Sequence, residues 1–203
     1  MRSSYKTEFQ NIKESSTLSL AKILLSKIRL SQGQVICDPF AGAGTFGLQA
    51  AVENISSINI ESNKKVYLTM KSNFKQLKSK KPGIAQFTLI HVDSEKVKID
   101  GMISAVITSP PFTLSDTANP PRTIAEYKIY IKKLERIFKR FIPILTREAR
   151  IIVLIGNDKH NGKTVTISNW FTQALKHIGY HLISSEIRPE DKNQTKILTF
   201  EIH

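Results

Sequence analysis

The sequence predicts a doubly wound α/β domain built on a mostly parallel, seven-stranded sheet that ends in an antiparallel hairpin. Short apolar runs alternate with amphipathic helical patterns along the 203 residues, which is typical of this class. Several runs, such as MISAVIT and ARIIVLI, are almost continuously apolar, as in parallel strands that are covered on both faces. The last two runs are separated only by RPEDKNQT. A parallel connection needs a dozen or more residues, so these two strands must pair antiparallel.

The individual elements follow from the same patterns. The predicted strands are Gln34–Asp38, Ser57–Ile60, Gln86–His91, Ile103–Thr108, Ala149–Ile155, Tyr180–Ile187 and Lys196–Ile202. The predicted helices are Thr17–Leu30, Thr45–Glu53, Asn63–Leu77, Thr123–Leu145 and Val165–Ile178. Because neither an internal repeat nor a linker interrupts this order, we expect a single domain over residues 1–203, without a separate target-recognition domain.

The composition argues against a membrane protein, a disulfide-rich protein and a zinc protein, and it favours a partner with negative charge. No apolar run approaches the roughly 20 residues that span a bilayer, so no membrane association is expected. The single cysteine, Cys37, excludes an internal disulfide framework, and no Cys/His cluster has zinc-ligand spacing, so no metal site is predicted. A cytoplasmic location is expected. Thirty Lys and Arg against seventeen Asp and Glu give a net charge of +13, which favours a polyanionic partner such as nucleic acid.

The segment VICDPFAGAGTFGLQAA predicts a strand, a tight glycine turn and the start of a helix. Gly42, Gly44 and Gly47 have the spacing G-x-G-x-x-G. Such a turn lets a ligand approach the backbone, while the helix presents its free N–H groups. Asp38 stands directly before the turn, where its charge would repel a pyrophosphate but suits the ammonium and sulfonium groups of S-adenosylmethionine. The sequence therefore predicts S-adenosylmethionine as the cofactor.

Two more carboxylates follow the next strands. Glu61 ends the second predicted strand, where an acidic residue can accept both hydroxyls of a ribose. Asp93 follows the third strand and is a candidate acceptor for the adenine amino group.

A proline-rich corner follows the fourth predicted strand, with the residues Ser109, Pro110, Pro111 and Phe112. Consecutive prolines are fixed in φ and force the preceding residues to be extended. The Ser109 hydroxyl and the Pro110 carbonyl could each accept one proton of an amino group, and Phe112 could stack on the attached ring. These four residues are the predicted catalytic set, and they suit a flat base that carries an exocyclic amine.

DPFAGAGT followed by TSPPF resembles the Rossmann-like amino-methyltransferases, with the glycine loop first as in their gamma arrangement. The stretch VITSPPF…AEYKIYIKKLERIFKRFIPIL is similar to that of the DNA cytosine-N4 enzymes, and the resemblance covers roughly residues 17–160. It implies cofactor contacts along the glycine loop and a first helix that packs against the methionine end of the cofactor. Taken together, the predicted cofactor-binding residues are Asp38, Pro39, Phe40, Ala41, Gly42, Gly44, Thr45, Glu61, Asp93 and Thr17.

The predicted function is that of a site-specific DNA methyltransferase acting on cytosine N4, of the restriction-modification kind, with a specificity subunit or a second copy as a possible partner. Serine at position 109 favours cytosine over adenine through the resemblance alone. The residues predicted to contact nucleic acid are Arg122, Lys128 and Lys132. An RNA base amino-methyltransferase acting on tRNA or rRNA stays open, because no target-recognition region is present. An NAD-binding oxidoreductase and a catalytically silent nucleic-acid-binding subunit also stay open.

Overall fold

The computed structural model describes residues 16–31, 33–111, 123–160, 163–188 and 195–202, without the side chains of residues 16–18, 159, 160 and 163. The chain divides into two compact units, Met1–Lys98 and Ile99–His203. No helix within the described residues combines the length and the hydropathy that a membrane span requires.

The first unit is a three-stranded parallel arrangement with three helices. Its elements are α1 (Ser16–Ser26), β1 (Val35–Asp38), α2 (Thr45–Val52), β2 (Ser56–Glu61), α3 (Lys64–Lys80) and β3 (Phe87–His91). Strand β2 pairs in parallel with both β1 and β3. Helix α3 begins where the Asn63 side chain accepts hydrogen bonds from the backbone N–H groups of Lys65 and Val66, the second and third residues of the helix, which is the usual N-cap contact. Buried Met70 and Phe74 of α3 pack with Leu48 of α2 in a common core.

The second unit carries the other strands and two amphipathic helices. Its elements are β4 (Ile103–Thr108), α4 (Ile124–Phe141), β5 (Leu145–Ile155), β6 (Asp158–His160), β7 (Lys163–Val165), α5 (Ile167–His177), β8 (Tyr180–Ile187) and β9 (Lys196–Ile202). Strands β4 and β5 are parallel, whereas β9 pairs antiparallel with both β5 and β8. A capping box between Thr123 and Glu126 starts α4. Aromatic side chains form much of the core, with Phe138, Phe171 and Phe200 fully buried.

The predicted fold class is confirmed. Seven strands form one sheet in the order β3-β2-β1-β4-β5-β9-β8, and β6 and β7 form a separate pair. The β1–β2, β2–β3 and β4–β5 pairs are parallel, and the sheet ends in the antiparallel β8–β9 hairpin.

Among the differences from the prediction are the ends of two helices and a strand pair that was not predicted. Helix α1 ends at Ser26 rather than Leu30, because Arg29 adopts a left-handed conformation with φ of 52° that a helix cannot continue. Helix α4 ends at Phe141, and a 3₁₀ turn over Ile142–Ile144 leads into β5. Pro143 lacks the N–H that a longer α-helix would use. The β6–β7 pair was not predicted, although the Asn-Gly dipeptide in DKHNGK is a common hairpin signal.

Candidate functional site

The first group of predicted site residues forms the glycine turn, which we define as residues 39–44, between β1 and α2. Asp38, the last residue of β1, is 1% exposed, and its Oδ1 accepts a hydrogen bond from the Phe40 N–H at 3.1 Å. Gly42 and Gly44 have φ angles of 54° and 92°, which other residues adopt at a cost. A Cβ added at Gly44 would lie 2.7 Å from the Phe74 ring, whereas one at Gly42 would meet nothing within 4 Å. The turn is therefore packed on its Gly44 side and open at Gly42.

Glu61, at the end of β2, holds the glycine turn in place. Its Oε2 accepts a hydrogen bond from the Gly42 N–H at 3.0 Å, and its Oε1 accepts one from the Asn63 N–H at 2.6 Å. The Ala41 N–H also donates to the Ile60 carbonyl at 2.9 Å. Burial raises the pKa of the Glu61 carboxyl, while the N–H groups of Asn63 and Gly42 act in the opposite direction. Since each carboxylate oxygen has two lone pairs, Glu61 retains acceptor capacity for a ligand hydroxyl.

The loop after β3 is linked to the same turn. Asp93 lies two residues beyond β3, and its Oδ1 accepts a hydrogen bond from the Glu95 N–H at 2.9 Å. The buried hydroxyl of Ser94 donates to the Pro39 carbonyl of the glycine turn. Sequence reasoning missed Ser94, because a serine in a polar loop gives no signal of its long-range partner.

Strand register brings the three acidic residues to one edge of the first unit. Asp38 pairs with Asn59 across β1 and β2, and Glu61 pairs with His91 across β2 and β3. The strands are parallel, so their carboxyl ends share this edge, where α/β sheets bind ligands. Asp38, Glu61 and Asp93 therefore lie on adjacent loops, as the sequence predicted.

The third glycine of the motif has a different role from the first two. A Cβ added at Gly47, in α2, would lie 1.9 Å from Oδ1 of Asn59, which is fully buried in β2. The Asn59 amide donates to the Ser57 hydroxyl at 2.9 Å, while its Oδ1 has no hydrogen-bond partner among the described residues. Gly47 thus allows close packing of α2 on β2, which is the established reason for the third glycine of such motifs. The polar Asn59 within the apolar strand SSINIE was an available signal that sequence reasoning did not use.

The residues around the glycine turn suit S-adenosylmethionine. The open space at Gly42 admits a ligand to the backbone, and the Glu61 carboxylate lies beside it as a hydroxyl acceptor. Asp38 adds a buried negative charge at the start of the turn, which favours a cationic ligand group and disfavours a phosphate. Thr17 lies in α1, but its side chain is outside the described residues.

The predicted catalytic residues belong to the second unit. All six residues of β4 are buried, and the proline corner, defined as Ser109, Pro110 and Pro111, follows directly. Pro110 is buried, while Ser109 and Pro111 are half-buried. Phe112, the fourth predicted catalytic residue, and Arg122, a predicted nucleic-acid contact, lie outside the described residues.

Two predicted nucleic-acid contacts lie on α4. Lys128 and Lys132 are exposed, and Lys132 forms an ion pair with Glu135 at 2.9 Å. On the opposite side of this helix, buried Tyr127 donates a hydrogen bond to Asp158 at 2.7 Å, a contact that the sequence did not reveal. The three-residue strand β6 that starts at Asp158 also contains His160, whose side chain is not described.

The described residues support neither nucleophilic catalysis by a cysteine nor a metal site. Burial raises the pKa of the Cys37 thiol well above its ordinary value, which keeps it protonated and unsuited to nucleophilic attack. No group of three or more His, Cys, Asp or Glu side chains in the part of the chain that the structure describes could hold a metal ion.

A family comparison decides where this chain belongs. Residues 12–140 match the family described as conserved hypothetical protein 95, and this stretch is more than half of the chain. The chain belongs to this family. The matched stretch contains both the glycine turn and the proline corner.

Individual relatives add to this assignment. The tRNA (guanine(10)-N2)-dimethyltransferase of Methanothermobacter thermautotrophicus is 20% identical over 112 residues, 55% of this chain and 32% of the relative. The crystal structure of TrmN from Thermus thermophilus superposes with a TM-score of 0.65 at 15% identity, over 92% of this chain and 49% of that one. The chain thus spans about a third to a half of the length of these two proteins.

A third structure concerns the cofactor. The glycopeptide N-methyltransferase MtfA in complex with S-adenosylmethionine superposes with a TM-score of 0.66 at 9% identity, over 92% of this chain and 94% of that one. This family member therefore shares its fold with solved methyltransferases, one of them in complex with S-adenosylmethionine, in line with the predicted cofactor.

The predicted assignment to the DNA cytosine-N4 enzymes is wrong. The family model and the tRNA guanine-N2 relative both point away from DNA methylation and from a restriction-modification role. The physical reason is that guanine, cytosine and adenine all carry an exocyclic amine, so motif residues that suit such an amine do not distinguish the base. Serine at position 109 was therefore a weak indicator of the base and of the nucleic acid. Neither the preference for DNA nor a specificity subunit receives support.

Proposed function

We propose that this family member is an S-adenosylmethionine-dependent methyltransferase that modifies the exocyclic N2 of guanine in a structured RNA of the tRNA type. The observation that carries the proposal is the glycine turn, which is open at Gly42 and whose Gly42 N–H donates a hydrogen bond to the Glu61 carboxylate. The choice of base and of RNA is supported by the tRNA guanine-N2 relative. The net charge of +13 favours a polyanionic substrate.

In this proposal the first unit binds the cofactor. Glu61 accepts the ribose hydroxyls, Asp93 accepts the adenine amino group, and Asp38 stabilises the positive charge of the methionine end. The bound cofactor supplies an electrophilic methyl group. The hydrogen bonds of the Gly42 and Asn63 N–H groups keep the Glu61 carboxylate oriented before the ligand arrives, so little ordering entropy remains to be lost on binding.

The proline corner receives the amine. The N2 lone pair of guanine is delocalised into the ring, which makes the nitrogen a poor nucleophile. When the Ser109 hydroxyl and the Pro110 carbonyl each accept a hydrogen bond from one N–H of the amine, the nitrogen is drawn toward tetrahedral geometry and the lone pair is localised on it. After the nitrogen has gained the methyl group, it releases one of these protons to water. The proline rings fix these acceptors before the base binds, and preorganised acceptors of this kind are an effective source of rate enhancement. No covalent intermediate on the protein is required.

The direct test is transfer of a tritiated methyl group from S-adenosylmethionine to tRNA, ribosomal RNA and duplex DNA, followed by digestion and chromatography of the nucleosides. We expect label in N2-methylguanosine from tRNA and none in DNA. Label in methylcytosine or methyladenine would contradict the proposed base. Binding of the cofactor in calorimetry without transfer to any nucleic acid would contradict the proposed substrate class.

A further inference from the structure

A groove runs between α4 and α5 of the second unit and is separate from the proline corner in sequence. It encloses a cavity of about 400 Å³, within the size range of small-ligand pockets. Both helices contribute positions i, i+3, i+4 and i+7, which start at Lys128 in α4 and at Trp170 in α5. Such positions share one face of a helix, so the groove is lined along two full helical turns.

The floor of the groove is apolar and carries an aromatic ring. Ile131 and Ala174 are 6% and 9% exposed, and both line the cavity beside Trp170. Trp170 is half-buried and is the only tryptophan of the chain. A partly exposed indole above an apolar floor suits a flat ring, because a nucleobase stacks well on aromatic side chains.

The rim of the groove is basic. Lys128, Lys132 and His177 line it and are exposed. Glu135 is the one acidic lining residue, and it is already paired with Lys132 at 2.9 Å. Exposed Arg136, Lys139 and Arg140 continue the positive charge along α4. This charge is complementary to a polyanion rather than to a second copy of a chain whose net charge is +13, since like charges repel.

We propose that the α4–α5 groove is a second RNA-contact site, in which an unpaired nucleobase stacks on Trp170 and the flanking phosphates contact Lys128 and Lys132. The site binds the RNA through residues other than the proline corner, and it gives the chain a preference for RNA that contains single-stranded loops. The identity of the polyanion rests on the proposed function, whereas the stacking site is inferred from Trp170 and the other residues that line the groove.

The single tryptophan makes the groove directly observable. Intrinsic fluorescence of the full chain is titrated with single-stranded oligoadenylate of about twelve nucleotides, with an RNA duplex of equal length and with inorganic polyphosphate. We expect the single strand to quench Trp170, and the duplex and polyphosphate to leave its emission unchanged, because only unpaired bases offer a free ring face. Equal changes with polyphosphate, or no change with the single strand, would overturn the proposal.

Substitutions separate the contributions of base stacking and of positive charge to RNA binding. The affinity is measured by the fluorescence anisotropy of a labelled oligoadenylate. Trp170→Ala should weaken binding about five- to one-hundredfold, and Trp170→Phe should restore most of the loss because it keeps a ring. Lys128→Gln should reduce the slope of log affinity against log salt by about 0.7, the value for one phosphate of a single strand. Lys75→Gln, at an exposed position on α3, is the matched control and should leave the slope unchanged. Equal effects of Lys75→Gln and Lys128→Gln would overturn the site.

The two proposals fail in different ways. Transfer of methyl groups to tRNA by Trp170→Ala at the rate of the unaltered chain, together with unchanged oligoadenylate affinity, overturns the groove and leaves the proposed function intact. Quenching of Trp170 by oligoadenylate without methyl transfer to any RNA overturns the proposed function and leaves the groove intact. A concentration-dependent dimer in sedimentation that Trp170→Ala abolishes would assign the groove to a second copy of the chain and overturn RNA binding there.

Discussion

The glycine turn and the proline corner are both short segments after a parallel strand, but they are made rigid in opposite ways. The glycine turn has flexible residues, and its shape depends on partners from elsewhere in the first unit: the Glu61 carboxylate and the Ile60 carbonyl from β2, and the Ser94 hydroxyl from beyond β3. The proline corner needs no such partners, because the pyrrolidine rings fix φ within the segment itself.

This difference matches the tasks that we propose for them. A backbone that must approach a ligand closely cannot carry side chains, so its rigidity has to come from hydrogen bonds to neighbouring strands. A corner that presents only one hydroxyl and one carbonyl has room for proline rings, which make it rigid without hydrogen bonds to other strands. The glycine turn should therefore be sensitive to changes far away in sequence, and the proline corner should respond only to its own residues.

Replacement of Glu61 by Gln should give the largest effect. The amide offers one acceptor oxygen where two N–H groups now donate, and a charge-assisted hydrogen bond is worth about 1.5–3 kcal/mol. We expect the affinity for S-adenosylmethionine in calorimetry to fall about ten- to one-hundredfold. Glu53→Gln, at the end of α2 in the same unit, is the control. Unchanged affinity in Glu61→Gln would contradict the comparison, because the turn would then keep its shape without the Glu61 carboxylate.

Gly47→Ala should destabilise the first unit without touching the ligand side of the turn. The new Cβ would clash with buried Asn59, and overpacking of this kind costs about 1–3 kcal/mol. Chemical denaturation followed by circular dichroism measures the free energy of unfolding. The double variant Gly47→Ala/Asn59→Ala should be less destabilised than the sum of its single variants, and strict additivity would contradict the packing account.

Ser109→Ala tests the proline corner, the second region of the comparison. Loss of one neutral hydrogen bond to the amine corresponds to about 0.5–1.5 kcal/mol, so kcat for methyl transfer should fall about three- to tenfold while the affinity for the cofactor stays unchanged. Ser104→Ala, in the strand β4 that leads to the corner, is the control. A parallel loss of cofactor affinity in Ser109→Ala would show that the corner is not an independent element.

The pH dependence of cofactor binding should give the smallest effect. Burial raises the folded-state pKa of Glu61 above its ordinary value of 4.5. The contribution of Glu61 to the free energy of unfolding is therefore fully present below pH 4.5 and is lost as the pH rises through the raised pKa. Cofactor affinity should change in the opposite direction, because ribose hydroxyls need the ionised carboxylate. Calorimetry across this range should show affinity increasing with pH, and Glu61→Gln should remove that part of the dependence.

Most of the fold and the placement of the acidic residues around the glycine turn could be predicted from local patterns. The apolar run of β4 and the short link before β9 are determined by nearest neighbours in sequence, and both were predicted correctly. Asp38, Glu61 and Asp93 follow parallel strands, so their common edge followed from topology alone. The proposed N2-guanine target could not be predicted in this way, because a hydroxyl and a carbonyl that would accept an amine do not distinguish the ring that carries it.

The sequence by itself determined the order of most strands and helices, the glycine turn, the acidic residues around it and the proline corner, because each depends on residues close together in the chain. Only the tertiary structure decided that Glu61 holds Gly42, that Ser94 holds Pro39, that Gly47 accommodates Asn59, and that Trp170 shares a groove with Lys128. These contacts join residues that are distant in sequence. Their existence depends on strand register and helix packing, which no local pattern specifies.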